Sequence, residues 1–156
     1  MKGDDEVLQV LGDVLSAELT AVNQYFIHAR MCENWRYRRL AKLMREESIG
    51  EMKHAEDVID RILYLDGVAN MQKYMRIKVG LTVPDMHQSD LDLERDAVGR
   101  LNAGIELCRG KGDNGSRVLL EKILADEERH IEWLEAQLLQ IQNMGLENYL
   151  SGQVEE

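Results

Sequence analysis

Proline is nearly missing from this chain: Pro84 is the only one in 156 residues. Aromatic residues make up 5% of it, and phenylalanine occurs once. Strands draw on β-branched and aromatic side chains, and helix interiors exclude proline, so these scarcities favour helix over sheet. Cysteine occurs twice, as Cys32 and Cys108, far apart and outside any C-x-x-C, which excludes a thiolate zinc site and a dithiol redox motif. Reduced thiols in a cytoplasmic protein are the expectation. No run approaches the ~20 apolar residues of a membrane span. The opening MKGDDEVLQV has acids where a secretory leader needs an apolar stretch. Basic residues are outnumbered 19 to 29, giving a net charge of -10. That deficit argues against a nucleic-acid partner and favours attraction of small cations. Solubility alone also accounts for acidity, so charge by itself assigns no function.

What is present is 44% hydrophobic and 31% charged residues, the balance of a soluble globular chain. The length fits one domain with a sizeable core. The expected fold is all-α: four long helices over about residues 4–145 and a short tail helix over about 146–152. The first helix runs from about Asp4 to Asn34, with acids at its positive end. A turn at Asn34-Trp35-Arg36 leads into a second, from about Tyr37 to Leu65, closed by Asp66-Gly67. Residues 68–83 have poorer periodicity. Pro84 suits the first turn of a third helix reaching about Arg109. Residues 110–115 read as a loop, Ser116 as the cap of a fourth helix, and Gly145 as its end. The tail helix is too short to stand alone and needs packing from elsewhere. A helix of ~27 residues is about 40 Å long, and ~16 extended residues span up to ~55 Å. The 68–83 segment can therefore cross the whole bundle, making helices two and three parallel.

Spacings of three and four mark the inner seam of each helix. These are Leu8, Leu11, Leu15, Glu18, Val22, Tyr25, Ala29; Leu40, Met44, Glu47, Glu51, His54, Val58; Leu91, Glu94, Val98, Leu101, Ile105, Cys108; and Leu120, Ile123, Glu127, His130, Leu134, Gln137, Ile141. Six metal-ligand types interrupt them: Glu18 and Glu94 singly, and the Glu-x-x-His pairs Glu51–His54 and Glu127–His130. Residues i and i+3 share a helix face, so each pair presents a carboxylate and an imidazole together. This set is the known template of di-iron carboxylate bundles. Chance pairing of Glu and His is not rare in so acidic a chain; the placement adds the specificity. Ionised carboxylates in an apolar core cost several kcal/mol unless paired. No Lys or Arg shares the seams, whereas two divalent cations would balance four carboxylates. Oxygen and imidazole ligands without thiolate suit iron or manganese, and zinc can enter such a site. Tyr25, on the same seam, is placed to hydrogen-bond the site or supply an electron; packing alone is the other role open to it.

The segments MKGD at the start, SAELTAVNQYFIHARM at 16–31, EESIGEMKHAE at 46–56, RILYLDG at 61–67, DEERHIEWLE at 126–135 and MGLENYL at 144–150 resemble bacterioferritins nearly end to end. That resemblance implies a ferritin-like bundle with one long crossover and a cytoplasmic, hollow shell of twenty-four subunits built from two-fold dimers. It implies oxidation of Fe(II) by O2 or H2O2 at a dinuclear iron site, storage of a ferric mineral, and a bacterioferritin-associated ferredoxin as redox partner. Glu51 and Glu127 would bridge the irons, with Glu18 and His54 completing one sphere and Glu94 and His130 the other.

Met52 lies about 100° round the helix from Glu51, off the seam. With Ile49 and Ile59 it forms a second apolar patch, and Leu19 and Phe26 do likewise on the first helix. Such a patch suggests a two-fold interface, where one Met from each subunit would ligate a shared haem b. In many bacterioferritins the positions of Glu46 and Gly50 carry His and Asp that bind iron on the inner wall; their absence here argues against that site. Arg45 stands where an aromatic residue is frequent, at the rim of the haem pocket. Two other functions fit the ligand set: a di-metal oxidase or peroxidase without mineral storage, and a haem-bridged structural subunit of a mixed shell.

Overall fold

The computed structural model describes residues 1–155. Its first helix, α1, is Asp5–Asn34. Asp4 caps it, accepting from the backbone N–H groups of Glu6 and Val7 at 2.8 and 3.3 Å. Arg36, at φ 69°, turns the chain into α2, Arg38–Tyr64. Thr82 caps α3, Val83–Gly110, and Pro84 sits in its first turn, where a missing N–H leaves no bond unmade. The next helix, α4, is Asn114–Met144. Its cap is Asp113, one correction to the sequence reading. Ser116 lies inside the first turn, and both its N–H (3.0 Å) and its hydroxyl (2.8 Å) donate to the Asp113 carboxylate. Arg61 holds that carboxylate from α2 at 2.7 Å, so a charged acceptor already fixed in place outcompetes a hydroxyl. Gly145, at φ 82°, separates α4 from α5, Leu146–Ser151.

Cross-helix contacts give the directions. Cys32 meets Met44, Val22 meets Ser48 and Gly3 meets Leu65, so α1 and α2 are antiparallel. Gln24 meets Asp90 and Tyr25 meets Glu94, while Gly104 abuts Val10, so α3 is also antiparallel to α1. Helices α2 and α3 therefore run parallel, and the segment joining them must travel the length of the bundle. It does so along α1. The N–H groups of Met75, Lys78 and Gly80 donate to Thr20 Oγ1, Gln24 Oε1 and His28 Nε2, three acceptors spaced one turn apart. This is the ferritin-like topology with one long crossover. No helix among the described residues is long and apolar enough to cross a membrane.

The apolar core falls into two clusters. One joins Leu11, Leu15, Val58, Ile62, Leu101 and Leu120. The other joins Cys32, Leu40, Met44, Met86 and Tyr149. The second includes the tail helix, whose Tyr149 is 1% exposed. Its hydroxyl donates to Gln137 Oε1 at 2.7 Å and lies 3.0 Å from His87 Nε2, which supplies the tertiary packing a six-residue helix requires. Val22, Val98 and Ile141, expected on the seam, are only half-buried. Ile141 is in the last turn of α4, whereas Val22 and Val98 are in the middle of α1 and α3. Between the two clusters lies a belt of buried polar side chains.

Candidate metal centre

The belt holds the six residues singled out on the seams, with Glu47, half-buried, beside them. Glu18, Glu51, Glu94 and Glu127 are each 1–2% exposed, and His54 is 8% exposed. His130 is half-buried. α1 and α3 contribute one carboxylate each, and α2 and α4 a Glu-x-x-His pair each, because i and i+3 share the inner face. Ligand atoms of Glu18, Glu51, His54 and Glu127 lie within 4.8 Å of one another. His54 Nδ1 is 3.5, 3.8 and 3.2 Å from the carboxylates of Glu18, Glu51 and Glu127. Glu94 and His130 fall into a second such group, in which the third member is Glu47.

Each of the six leaves one buried atom without a hydrogen-bond partner: Glu18 Oε2, Glu51 Oε1, His54 Nδ1, Glu94 Oε2, Glu127 Oε1 and His130 Nε2. Six of the eight unpaired buried side-chain atoms among the described residues therefore lie on this belt, and since buried polar atoms are nearly always paired, the concentration fits a site shaped to hold cations. No Lys or Arg ion pair reaches the belt among the described residues; the cationic partner inside it is histidine. The titration behaviour agrees. Burial and the charges of Glu18 and Glu127 hold the Glu51 carboxyl well above the carboxylate range. Burial raises Glu127 too, against the pull of His54. Burial disfavours a charged His54, but the carboxylates of Glu127 and Glu18 close beside it outweigh this and push it up to about 10. His130 has no such partner strong enough, and burial lowers it to about 4. Without metal, the cluster thus relieves its own repulsion by retaining protons.

The supporting residues are specific. The Tyr25 hydroxyl donates to Glu94 Oε1 at 2.5 Å, and the ring stands edge-on to His130 at 5.2 Å. His54 Nε2 lies 2.8 Å from Asp126 Oδ2, which orients Nδ1 toward the carboxylates. Trp133 stacks on His130 at 5.6 Å between centroids. Asp90 ties Gln24 (2.8 Å) and His28 (3.0 Å) together beside the site. Gly80 donates to His28 Nε2, so the ring proton is on Nδ1, facing Asp90.

Of the six residues expected from the sequence, Glu18, Glu51, His54 and Glu127 form one group and Glu94 and His130 fall in a second, with Tyr25 against both members of that pair. Glu47 and Asp126 were not among the six. Glu47 sits one turn before Glu51 on the same seam, a signal the sequence carried. Asp126 is off the seam, and only its adjacency to Glu127 marked it. Met52 is elsewhere: its side chain is 52% exposed, as is that of Phe26 on α1, while Ile49 and Ile59 are half-buried. Two cavities flank the centre. One, of about 360 Å³, opens between α2 and α4 past Glu47, His54 and His130. The other, of about 180 Å³, reaches Glu18 and Glu94 from beneath the crossover, past Met75, Arg76 and Arg100.

The ferritin-like domain family matches residues 8–144. The chain is 49% identical over 149 residues to the bacterioferritin of Mycobacterium leprae, covering 96% of this chain and 94% of that one. It is 48% identical over 149 residues to the bacterioferritin of Mycobacterium tuberculosis, with the same coverage. To the bacterioferritin of Streptomyces coelicolor it is 47% identical over 156 residues, 100% of this chain and 93% of that one. With the four-helix topology, the crossover and the buried Glu/His belt all in place, this chain belongs to the bacterioferritins of the ferritin-like domain family.

Proposed function

We propose that this chain oxidises ferrous iron at the centre within its own bundle and stores the ferric product. The observation that carries this reading is the set of six orphaned buried atoms, one on each expected ligand. Ferrous iron is here the substrate. Glu18 and His54 would hold one ion, Glu94 and His130 the other, and Glu51 and Glu127 would bridge. Each ion gives up one electron, and a pair of them reduces O2 to peroxide, or H2O2 to water.

The residues of the chain do the rest. Glu51 and Glu127, both raised by burial, release protons as the cations arrive, so that their carboxylates can face the divalent ions. Tyr25 holds one oxygen of Glu94, leaving the other free to coordinate. Asp126 fixes the His54 ring so that Nδ1 is the ligand atom. Burial keeps Tyr25 protonated, its pKa raised well above the phenol range by desolvation and then by Asp90 and the glutamates. It can therefore donate that bond at any working pH.

The reading extends to assembly: a cytoplasmic shell of twenty-four subunits built from two-fold dimers, with a small ferredoxin supplying electrons for release. Exposed Phe26 and Met52 on the α1–α2 face support a two-fold contact there. Met52 would hold a haem b shared across that contact, since its side chain is 52% exposed and belongs to neither metal-ligand group. The haem would supply an electron-transfer centre on the axis.

The test of the oxidation centre is Glu18→Ala and Glu94→Ala. Each removes a ligand together with a buried charge, so the fold should stand while fast ferrous oxidation is lost. Oxidation at the wild-type rate in both variants would overturn the assignment.

A further inference from the structure

The second metal position has two alternative sets of partners. In the reading above, Glu94 and His130 share their cation with Glu51 and Glu127. In the structure, the carboxylate that closes a group with Glu94 and His130 is Glu47, its ligand atom within 4.8 Å of theirs. Glu47 Oε2 is 3.4 Å from His130 Nδ1. Glu94, 1% exposed, has Oε1 committed to Tyr25 and Oε2 without a partner. A cation placed there would meet two carboxylates and an imidazole, an oxygen and nitrogen set that suits a divalent metal.

The position of Glu47 gives this group a direction. Its side chain is 28% exposed, whereas those of Glu51 and Glu127 are 1–2% exposed. It lines the wall of the 360 Å³ cavity together with Glu46, Gly50, Asp126, Arg129 and His130. Four carboxylates, those of Glu46, Glu47, Asp90 and Asp126, against one guanidinium, itself paired with Asp126, make that cavity acidic. Gly50 adds no obstruction, since a Cβ there would meet nothing within 4 Å. A cation in this cavity meets Glu47, which lines it, before either bridging glutamate, neither of which does.

We infer that Glu47, Glu94 and His130 form a loading station for the second divalent cation, which passes from Glu47 to the bridging carboxylates Glu51 and Glu127. The step is a ligand exchange: the bond to the Glu47 carboxylate breaks as bonds to Glu51 and Glu127 form, and Glu94 and His130 stay bound throughout. No electron moves. This inference rests on the dinuclear reading and adds to it a residue that is a ligand in transit only.

Stopped-flow uptake of Co(II), without oxidant, by the assembled full-length protein tests it, because Co(II) absorbance reports binding with no redox step. The wild type should bind two ions per chain in two phases. Glu47→Gln should leave the first phase unchanged and slow the second by about ten-fold, the scale of effect expected from removing a charge at an acidic mouth. Two ions should still be bound at equilibrium. Glu47→Asp, which keeps the charge and shortens the reach, should fall between the two. A second phase at the wild-type rate in Glu47→Gln would overturn the station. Loss of the second ion at equilibrium would also overturn it, because Glu47 would then be a permanent ligand. A wild type that takes up fewer than two ions fails at the dinuclear reading itself, and that result is distinct from either of the others.

Discussion

The hydroxyl of Tyr25 on α1 donates to Glu94 Oε1 on α3 across 2.5 Å, and this bond leaves the other Glu94 oxygen buried and free. A ligand held by one oxygen is oriented before its metal arrives. Tyr25→Phe keeps the ring and removes the donor. Metal affinity at the Glu94 side should fall by about ten-fold, a typical effect of losing an outer hydrogen bond to a ligand. The metal-free protein should lose about 1–3 kcal/mol through the unpaired Glu94 oxygen. Competitive Co(II) titration and urea unfolding check the two effects separately. Unchanged affinity would reduce Tyr25 to packing.

The metal-free centre should make stability fall as pH rises. Glu47 is raised to about 7 by burial and the Glu127 charge, Glu51 is held well above its usual range, and His54 is pushed up to about 10. A folded-state pKa above the unfolded value means stability that is present at low pH and lost as pH climbs through the folded value. His87 and His130, lowered by burial to about 3 and about 4, act in the opposite sense, but only below the ordinary histidine value of 6.5. Between pH 6.5 and about 8.5 the first group acts alone, so unfolding free energy should drop by on the order of 1 kcal/mol per pH unit for each retained proton. Cations replace those protons, so the metal-loaded protein should not show this slope. Urea unfolding of both forms across that interval is the measurement; equal slopes would contradict the account.

Tyr149 is the fully buried side chain of the tail helix. Tyr149→Phe removes the hydroxyl that joins Gln137 to His87, leaving two buried polar groups unpaired. A loss of about 1–3 kcal/mol is expected for such a deletion. Hydrogen exchange should show α5 opening well before α1 to α4. Equal protection of all five helices would show that the apolar contacts of Tyr149 are sufficient.

Much of this was legible in the sequence for a specific reason. Glu18, Glu51, His54, Glu94, Glu127 and His130 interrupt stripes that are mostly apolar, and a carboxylate at a core position demands a partner whatever the tertiary detail. Helix boundaries followed local signals, Asp4 and Pro84 among them. The misread cap at Ser116 shows the limit: Asp113 prevails because Arg61, more than fifty residues earlier in the chain, stabilises its carboxylate. The crossover is likewise held by tertiary partners, backbone donors of residues 75–80 meeting Thr20, Gln24 and His28, and no local periodicity encodes those. Glu47 was on the seam from the start, but its pairing with His130 depends on how α2 and α4 face each other.

Met52 gives a prediction independent of the iron centre. Met52→Leu keeps volume and apolarity and removes the thioether, so the fold should change by less than about 1.5 kcal/mol. Haem supplied during expression should bind the wild-type dimer, one per pair of subunits, and its axial-ligand spectrum should be lost in the Leu variant. Ferrous oxidation should persist in that variant. Equal haem content with an unchanged spectrum would eliminate Met52 as the ligand.

The central claim is that the buried belt is a dinuclear centre that oxidises ferrous iron. An anaerobic ferrous titration of the metal-free protein, followed by O2 or H2O2 in separate portions, tests it most directly. The account predicts a break at two ferrous ions per chain and a rapid oxidation phase whose amplitude corresponds to those two ions, both absent in Glu18→Ala. A titration without a break at two, or a rapid phase of equal amplitude in Glu18→Ala, would contradict it.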